Sequence, residues 1–252
     1  VSQSHLDIKV GFKLFKYLLW HRCNFKNQVK KAKQHPNYIK LAETLKEFEL
    51  EKPILKKQSL SSCTFTVFDL ETTGFFPEIG DEIISIGAIK IHNQQVLEKE
   101  TFYQVINPLQ NVSKETEIFT GLNKKDFQHA VTLPVGLEGF LEFSKGTILV
   151  AHPATFDINF LQKRIKKWDL PSFNPVYIDS FALSNFLLDT QDSYLDKMVE
   201  TYNIVMRERH HALNDAIMTA EVFVRLLEEC MHQQLFTVEM IDGIMEEKVI
   251  SA

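Results

Sequence analysis

Three strand-forming segments in succession, then helices and short strands in alternation, restrict this chain more than any other feature. Thr64-Phe65-Thr66-Val67-Phe68 is β-branched and aromatic without a breaker, and Glu82–Ile91 and Gln95–Ile106 read as two more strands joined at His92-Asn93-Gln94. Beyond them the pattern predicts short helices at Asn111–Phe119 and Val135–Phe143, a strand at Thr147–Ala151 and a helix at Ala154–Lys167. A brief strand at Val176–Ile178 leads to helices at Ser180–Leu188, Ser193–Tyr202 and Ala212–Cys230, the last with Ala212, Ala216, Ala220, Phe223 and Leu227 in register. Five strands in this order imply an α/β fold, a mixed sheet flanked by helices.

Charge divides the chain unevenly. Residues 1–60 carry 13 Lys+Arg against 5 Asp+Glu, a balance of +8, whereas the remainder carries -13. The reading is a basic helical extension over residues 1–52, a linker at 53–63, a body over 64–230, and a C-terminal helix or tail over 231–252. Ile8, Phe12, Phe15 and Leu19 mark one helix face in the extension, and a second helix is expected through Ile39–Leu50. Three roles for the extension stay open: a helical unit packed on the body, an electrostatic handle for phosphates, or a membrane-surface or protein-docking element.

Other classes find little support. No apolar run approaches the roughly 18 residues of a membrane span, and Tyr17–Trp20 is bracketed by Lys16 and Arg22 with no small-residue cleavage site after it. Cys23, Cys63 and Cys230 lie far apart without a C-x-x-C, which suits a reducing cytoplasm rather than a disulfide framework. The chain holds no G-x-x-x-x-G-K-[ST] loop, no G-x-G-x-x-G turn and no G-x-S-x-G elbow.

The strongest local signal is Asp69-Leu70-Glu71-Thr72-Thr73-Gly74, directly after the first strand. Side chains alternate along a strand, so Asp69 and Glu71 face the same way. Two neighbouring carboxylates raise one another's pKa unless a cation neutralises them, and hard divalent ions prefer such oxygen ligands. This run resembles the first motif of the DnaQ-like, DEDDh-type 3′→5′ exonucleases, a group that includes the proofreading subunits of bacterial replicative polymerases. Two further motifs of that family have counterparts in order: Ala151-His152-Pro153-Ala154-Thr155-Phe156-Asp157 and His210-His211-Ala212-Leu213-Asn214-Asp215-Ala216. Positions five apart in one helix differ by about 140° in direction. A helix starting near Ala212 therefore leaves His210 on the preceding loop, free to swing over a site that Asp215 enters from the first turns.

The resemblance implies a ribonuclease H-like fold and two-metal phosphodiester hydrolysis. By it, Asp69, Glu71, Asp157 and Asp215 hold two divalent cations, Mg²⁺ with Mn²⁺ able to substitute, and His210 takes a proton from the attacking water. The implied substrate is the 3′ end of single-stranded DNA, with a DNA polymerase as a possible partner in replication or repair. Thr72, Thr73, Phe75, Phe76, Thr120, His152 and Phe156 are the candidate substrate contacts, the aromatic ones because any base stacks on an aromatic face. Pro153 stands where the family often has Asn, and Thr120 where several members have His, which bears on nucleotide selectivity. An RNA trimmer would share the chemistry, since nothing in the sequence reports on the 2′-hydroxyl. A hydrolase of small nucleotides would share the fold. A non-catalytic binding subunit would be expected to lack a ligand or the base, and all five positions are present.

Overall fold

The computed structural model describes residues 22–243. The expected Ile8–Leu19 helix face and the end of the C-terminal tail lie outside them. The central sheet has six strands in the order β4-β3-β2-β1-β5-β6, one more than the sequence pattern indicated. β1 (Thr64–Thr72), β2 (Ile83–His92) and β3 (Gln95–Asn107) form an antiparallel meander. β5 (Ile148–Ala151) and β6 (Tyr177–Asp179) extend it in parallel on the β1 side. The additional strand, β4, is only Val131–Thr132 at the β3 edge, too short to carry a periodic signal.

Helices cover both faces. α1 (Arg22–Ala32) and α2 (Pro36–Leu55) precede the sheet. α3 (Lys114–Thr120), α4 (Lys124–His129) and α5 (Leu133–Ser144) follow β3, with α4 absent from the sequence reading. α6 (Ala154–Lys167) follows β5, then α7 (Ser180–Leu187), α8 (Leu195–Thr201) and α9 (Ala212–His232). The alternation along β1 assigns its faces. Phe65 and Val67 pack with Ala216 and Phe223 of α9, while Phe68 and Leu70 pack with residues of α2, α5 and α6. Asp69 and Glu71 continue the α9-facing row toward the end of the strand, which is how they come to face the helix that carries Asp215.

The described part of the segment read as an extension and linker, residues 22–63, is packed onto the body. Leu41, Leu45 and Phe48 of α2 are buried in the core with Phe68 and Leu70. The helix runs through Lys52-Pro53, where the sequence suggested a break, and ends at Leu55. A proline in the last turn removes one helical hydrogen bond, and burial of Leu55 on the far side holds the turn in place. Leu60 donates its N–H to the Phe236 carbonyl at 2.8 Å, and Ser59 bridges to Thr237, so residues 56–63 are tied to the segment after α9. Several lysines of the basic segment meet acids of the body: Lys33 with Asp169, Lys40 with Glu138, Lys145 with Glu47 in the reverse sense, and Lys56 with Asp242 at 2.7 Å. Part of the charge asymmetry is thus neutralised across the packing of α2 on the sheet. Among the described residues no helix is long and apolar enough to cross a membrane.

Candidate active site

The parallel strands β1, β5 and β6 end at one edge of the sheet, the edge where open α/β folds place ligands. A cavity of about 850 Å³ opens there, lined by the acids Asp69, Glu71 and Asp215, by His210, and by the aromatic rings of Phe75, Phe76 and Phe119. The β1–β2 register shifts between Glu71 and Thr72, which turns the chain out of the sheet just after the second carboxylate.

The loop that follows is held from below by Asp81. This buried carboxylate accepts from the Thr73 hydroxyl at 3.1 Å and from the Phe76 N–H at 3.0 Å. A Cβ at position 74 would lie 2.6 Å from Asp81 Oδ2, so only glycine permits this closeness. The result presents Phe75 and Phe76 outward, with Phe75 in edge contact with Phe156 at 6.2 Å.

Asp215 reaches the same place through a different close approach. Gly87 of β2 pairs with Asp69, and a Cβ there would fall 2.2 Å from the Ala212 carbonyl carbon and the Leu213 nitrogen. The first turn of α9 can therefore sit directly on the sheet beside Asp69. Asp215 projects from that turn, and its Oδ2 accepts the His210 N–H at 3.2 Å. His210 has φ of 62°, a left-handed conformation that costs a non-glycine residue about 1–3 kcal/mol. The Asp215 bond and a stack on Phe119, ring centroids 3.7 Å apart, oppose that cost. The sequence-based placement of His210 before the helix and Asp215 within it holds in the structure.

Asp157 comes from the first turn of α6 and is buried, close enough to act electrostatically on Asp69 but not among the residues that line the cavity. Burial pushes its carboxyl well above the usual range, opposed by hydrogen bonds from the Leu70 and Asp157 N–H groups, with repulsion from Asp179 and Glu71 adding to the rise. Asp69 is raised in the same way by burial, then by Asp157, Glu71 and Asp215. Burial and Asp215 push Glu71 up to about 8. His210 is moved the other way by desolvation and the nearby Arg209 guanidinium, which favours a neutral imidazole near pH 7.

Glu71, His210 and Asp215 each offer a ligand atom within 4.8 Å of the others. Asp215 Oδ1 is buried without a hydrogen-bond partner. The raised carboxyls of Asp69, Glu71 and Asp157, clustered with the free buried oxygen of Asp215, fit a hard divalent cation, which would displace protons from the raised groups on binding.

With this geometry in place, the likeness to known proteins is specific. The sequence profile of the family described as Exonuclease matches residues 66–223, well over half of the chain. This chain belongs to the exonuclease family. Among relatives, a DNA polymerase III PolC-type protein of Caldanaerobacter subterraneus subsp. tengcongensis is 36% identical over 201 residues, covering 79% of this chain and 14% of that protein. A DNA polymerase III subunit epsilon-like protein of Rhodobacter capsulatus is 35% identical over 176 residues, covering 69% of this chain and 25% of that protein. The chain thus spans a quarter or less of these relatives. In three dimensions it resembles the nuclease domain of 3′hExo, a DEDDh family member bound to rAMP (TM-score 0.61, 22% identity, 68% of this chain and 94% of that one). It also resembles exonuclease X in complex with 5′ overhanging duplex DNA (TM-score 0.56, 16% identity, 72% and 99%). At those identities the likeness establishes the ribonuclease H-like fold.

The remaining candidates of this exonuclease domain separate by geometry. Phe75, Phe76, Phe156 and His152 line the cavity, as do Thr72 and Thr73. The Thr73 N–H is already bound to the Glu82 carbonyl at 2.9 Å, and the Thr72 hydroxyl donates to the Gly74 carbonyl at 2.8 Å, so both groups serve the turn. Thr120 does not line the cavity; its hydroxyl donates to the Thr116 carbonyl at 2.9 Å within α3. His152 contacts the Ser193 carbonyl through Nε2 at 2.6 Å and Ser180 Oγ through Nδ1 at 2.9 Å, and burial pushes it down to about 4. It follows that this neutral imidazole is a cavity wall with both ring nitrogens engaged. Asp81 and Arg209 also line the cavity, and no sequence motif marks either. Arg209 pairs with Asp215 inside the site and with Asp196 at its rim. Its only sequence signal is adjacency to His210.

Proposed function

We propose that this domain is a metal-dependent 3′→5′ exonuclease that hydrolyses the terminal phosphodiester of single-stranded DNA and releases a nucleoside monophosphate. The convergence of Asp69, Glu71, Asp215 and His210 on one cavity, with buried Asp157 acting electrostatically on Asp69, carries this reading. Two divalent cations, Mg²⁺ or Mn²⁺, would be held by the four carboxylates and supply the charge that activates water and stabilises the leaving oxygen.

The chain's own residues account for the rest. An unprotonated ring nitrogen of His210 accepts the proton of the attacking water as the O–P bond forms. The P–O3′ bond breaks, the departing O3′ takes a proton from solvent water, and the shortened strand is left with a 3′-hydroxyl. Asp215 orients the His210 backbone and Phe119 its ring, so the base stays over the reacting phosphate. Phe75 and Phe76 give the terminal bases stacking faces. Half-buried His152 and Phe156 form part of the cavity wall.

The names of the sequence relatives favour DNA over RNA and support association with a replicative polymerase. Two buried free thiols, Cys63 and Cys230, suit a cytoplasmic setting. Incubation with 5′-labelled single-stranded DNA and RNA, in Mg²⁺ or Mn²⁺, tests the proposal. A descending ladder on DNA, absent with Asp69→Ala, is expected. No ladder from the wild type would end the reading, and a stronger ladder on RNA would replace DNA by RNA.

A further inference from the structure

The acidic cluster already contains a cation, and it belongs to the chain. One end of the Arg209 guanidinium is ion-paired to Oδ2 of buried Asp215, and Nε is 2.6 Å from Oδ1 of exposed Asp196. Asp215 Oδ2 also accepts the His210 N–H, which leaves Oδ1 as the unpartnered oxygen. The same guanidinium offsets the repulsion felt by Asp69 and Glu71. One side chain therefore supplies positive charge to three of the four clustered acids. A divalent ion approaching Asp215 Oδ1 meets a full positive charge on the same carboxylate, and like charges at such separation repel strongly in a partly dry site.

We infer that Arg209 is a built-in counter-cation that competes with the divalent ion for Asp215, so that metal enters by exchange with the guanidinium, which Asp196 then retains at the rim. The inference rests on the reading of the carboxylates as a metal centre. It makes the arginine a positioning residue with two roles: it keeps the acids compatible with folding when no metal is present, and it weakens metal affinity. Neutral glutamine at 209 removes both effects, while lysine keeps the charge.

Calorimetric titration of Mn²⁺ into the full chain tests it. Arg209→Gln should bind Mn²⁺ about tenfold more tightly than wild type, with a lower melting temperature before metal is added and a larger rise after. Arg209→Lys should stay near wild type. An equal or weaker affinity in Arg209→Gln overturns the inference. Should that variant fold only with metal, it is prepared in Mn²⁺ and the EDTA concentration that strips the ion is measured. More chelator than for wild type supports the exchange, and an equal or smaller amount overturns it. Absence of Mn²⁺ binding in the wild type removes the metal centre and the inference with it; binding by wild type without gain in the variant removes the inference alone.

Discussion

Two buried glutamates eleven residues apart, Glu71 and Glu82, sit in opposite electrostatic settings. Glu82 Oε1 meets Arg164 at 2.9 Å and Lys167 at 2.5 Å, and Arg164 also donates to the Pro77 carbonyl. Glu71 faces Asp69 and Asp215 with one shared guanidinium as compensation. Both side chains are buried, so what separates them is the charge each one meets. Glu82 has its counter-charge inside the fold, and its partner Arg164 ties α6 to the turn at Pro77–Ile79. Glu71 is short of counter-charge, and a site that tolerates such a deficit is suited to bind it from outside.

The comparison can be broken from either side. His210→Ala should lower kcat by about 10²–10⁴-fold with only a small change in melting temperature, because it removes the base and, of packing, the ring stack on exposed Phe119. Single-turnover hydrolysis of labelled DNA beside a thermal melt measures both. Glu82→Gln should do the reverse. Leaving Arg164 buried without its carboxylate should destabilise the fold by about 3–5 kcal/mol in urea unfolding, with activity per folded molecule retained. Equal losses of stability in Glu82→Gln and Glu71→Gln would erase the distinction.

Acidity sharpens it further. Glu71 titrates near 8 in the folded chain against an ordinary 4.5, so between those values the folded state holds the extra proton. The metal-free protein should therefore lose stability as pH rises from about 4.5 to 8 on account of Glu71. That component of the slope should vanish in Glu71→Gln and flatten with Mn²⁺, as read from urea midpoints across the range. Phe75→Ala should raise KM about tenfold through lost stacking, with the melting temperature unchanged. The smallest effect concerns the basic segment. Leu41, Leu45 and Phe48 are core residues, so deleting residues 1–55 would damage the fold, and charge removal is the cleaner probe. Replacing Lys9, Lys13 and Lys16 by Gln should reduce the salt dependence of single-strand binding by at most about 2 in slope.

Much of this is legible in the sequence. Alternation in Thr64–Thr72 predicts that Asp69 and Glu71 share a face, and the angular step of a helix predicts that His210 precedes the element bearing Asp215. Both follow from short-range backbone geometry. α4 and β4 escaped because six and two residues are too few to express a period. Pro53 was misleading because burial of Leu55 outweighs one missing hydrogen bond. Thr120 was carried over by position in a motif, and its hydroxyl proved to be engaged by its own helix.

Residue type and spacing along the chain were enough to establish the strands, the helices and the identity of the acids, because those depend on neighbours a few bonds away. The proximity of α9 to Asp69 across Gly87, the clamp of Asp81 under Gly74, and the guanidinium of Arg209 against Asp215 emerged only on folding. Electrostatic energy and steric fit depend on separation in space, and distance along the chain does not encode it.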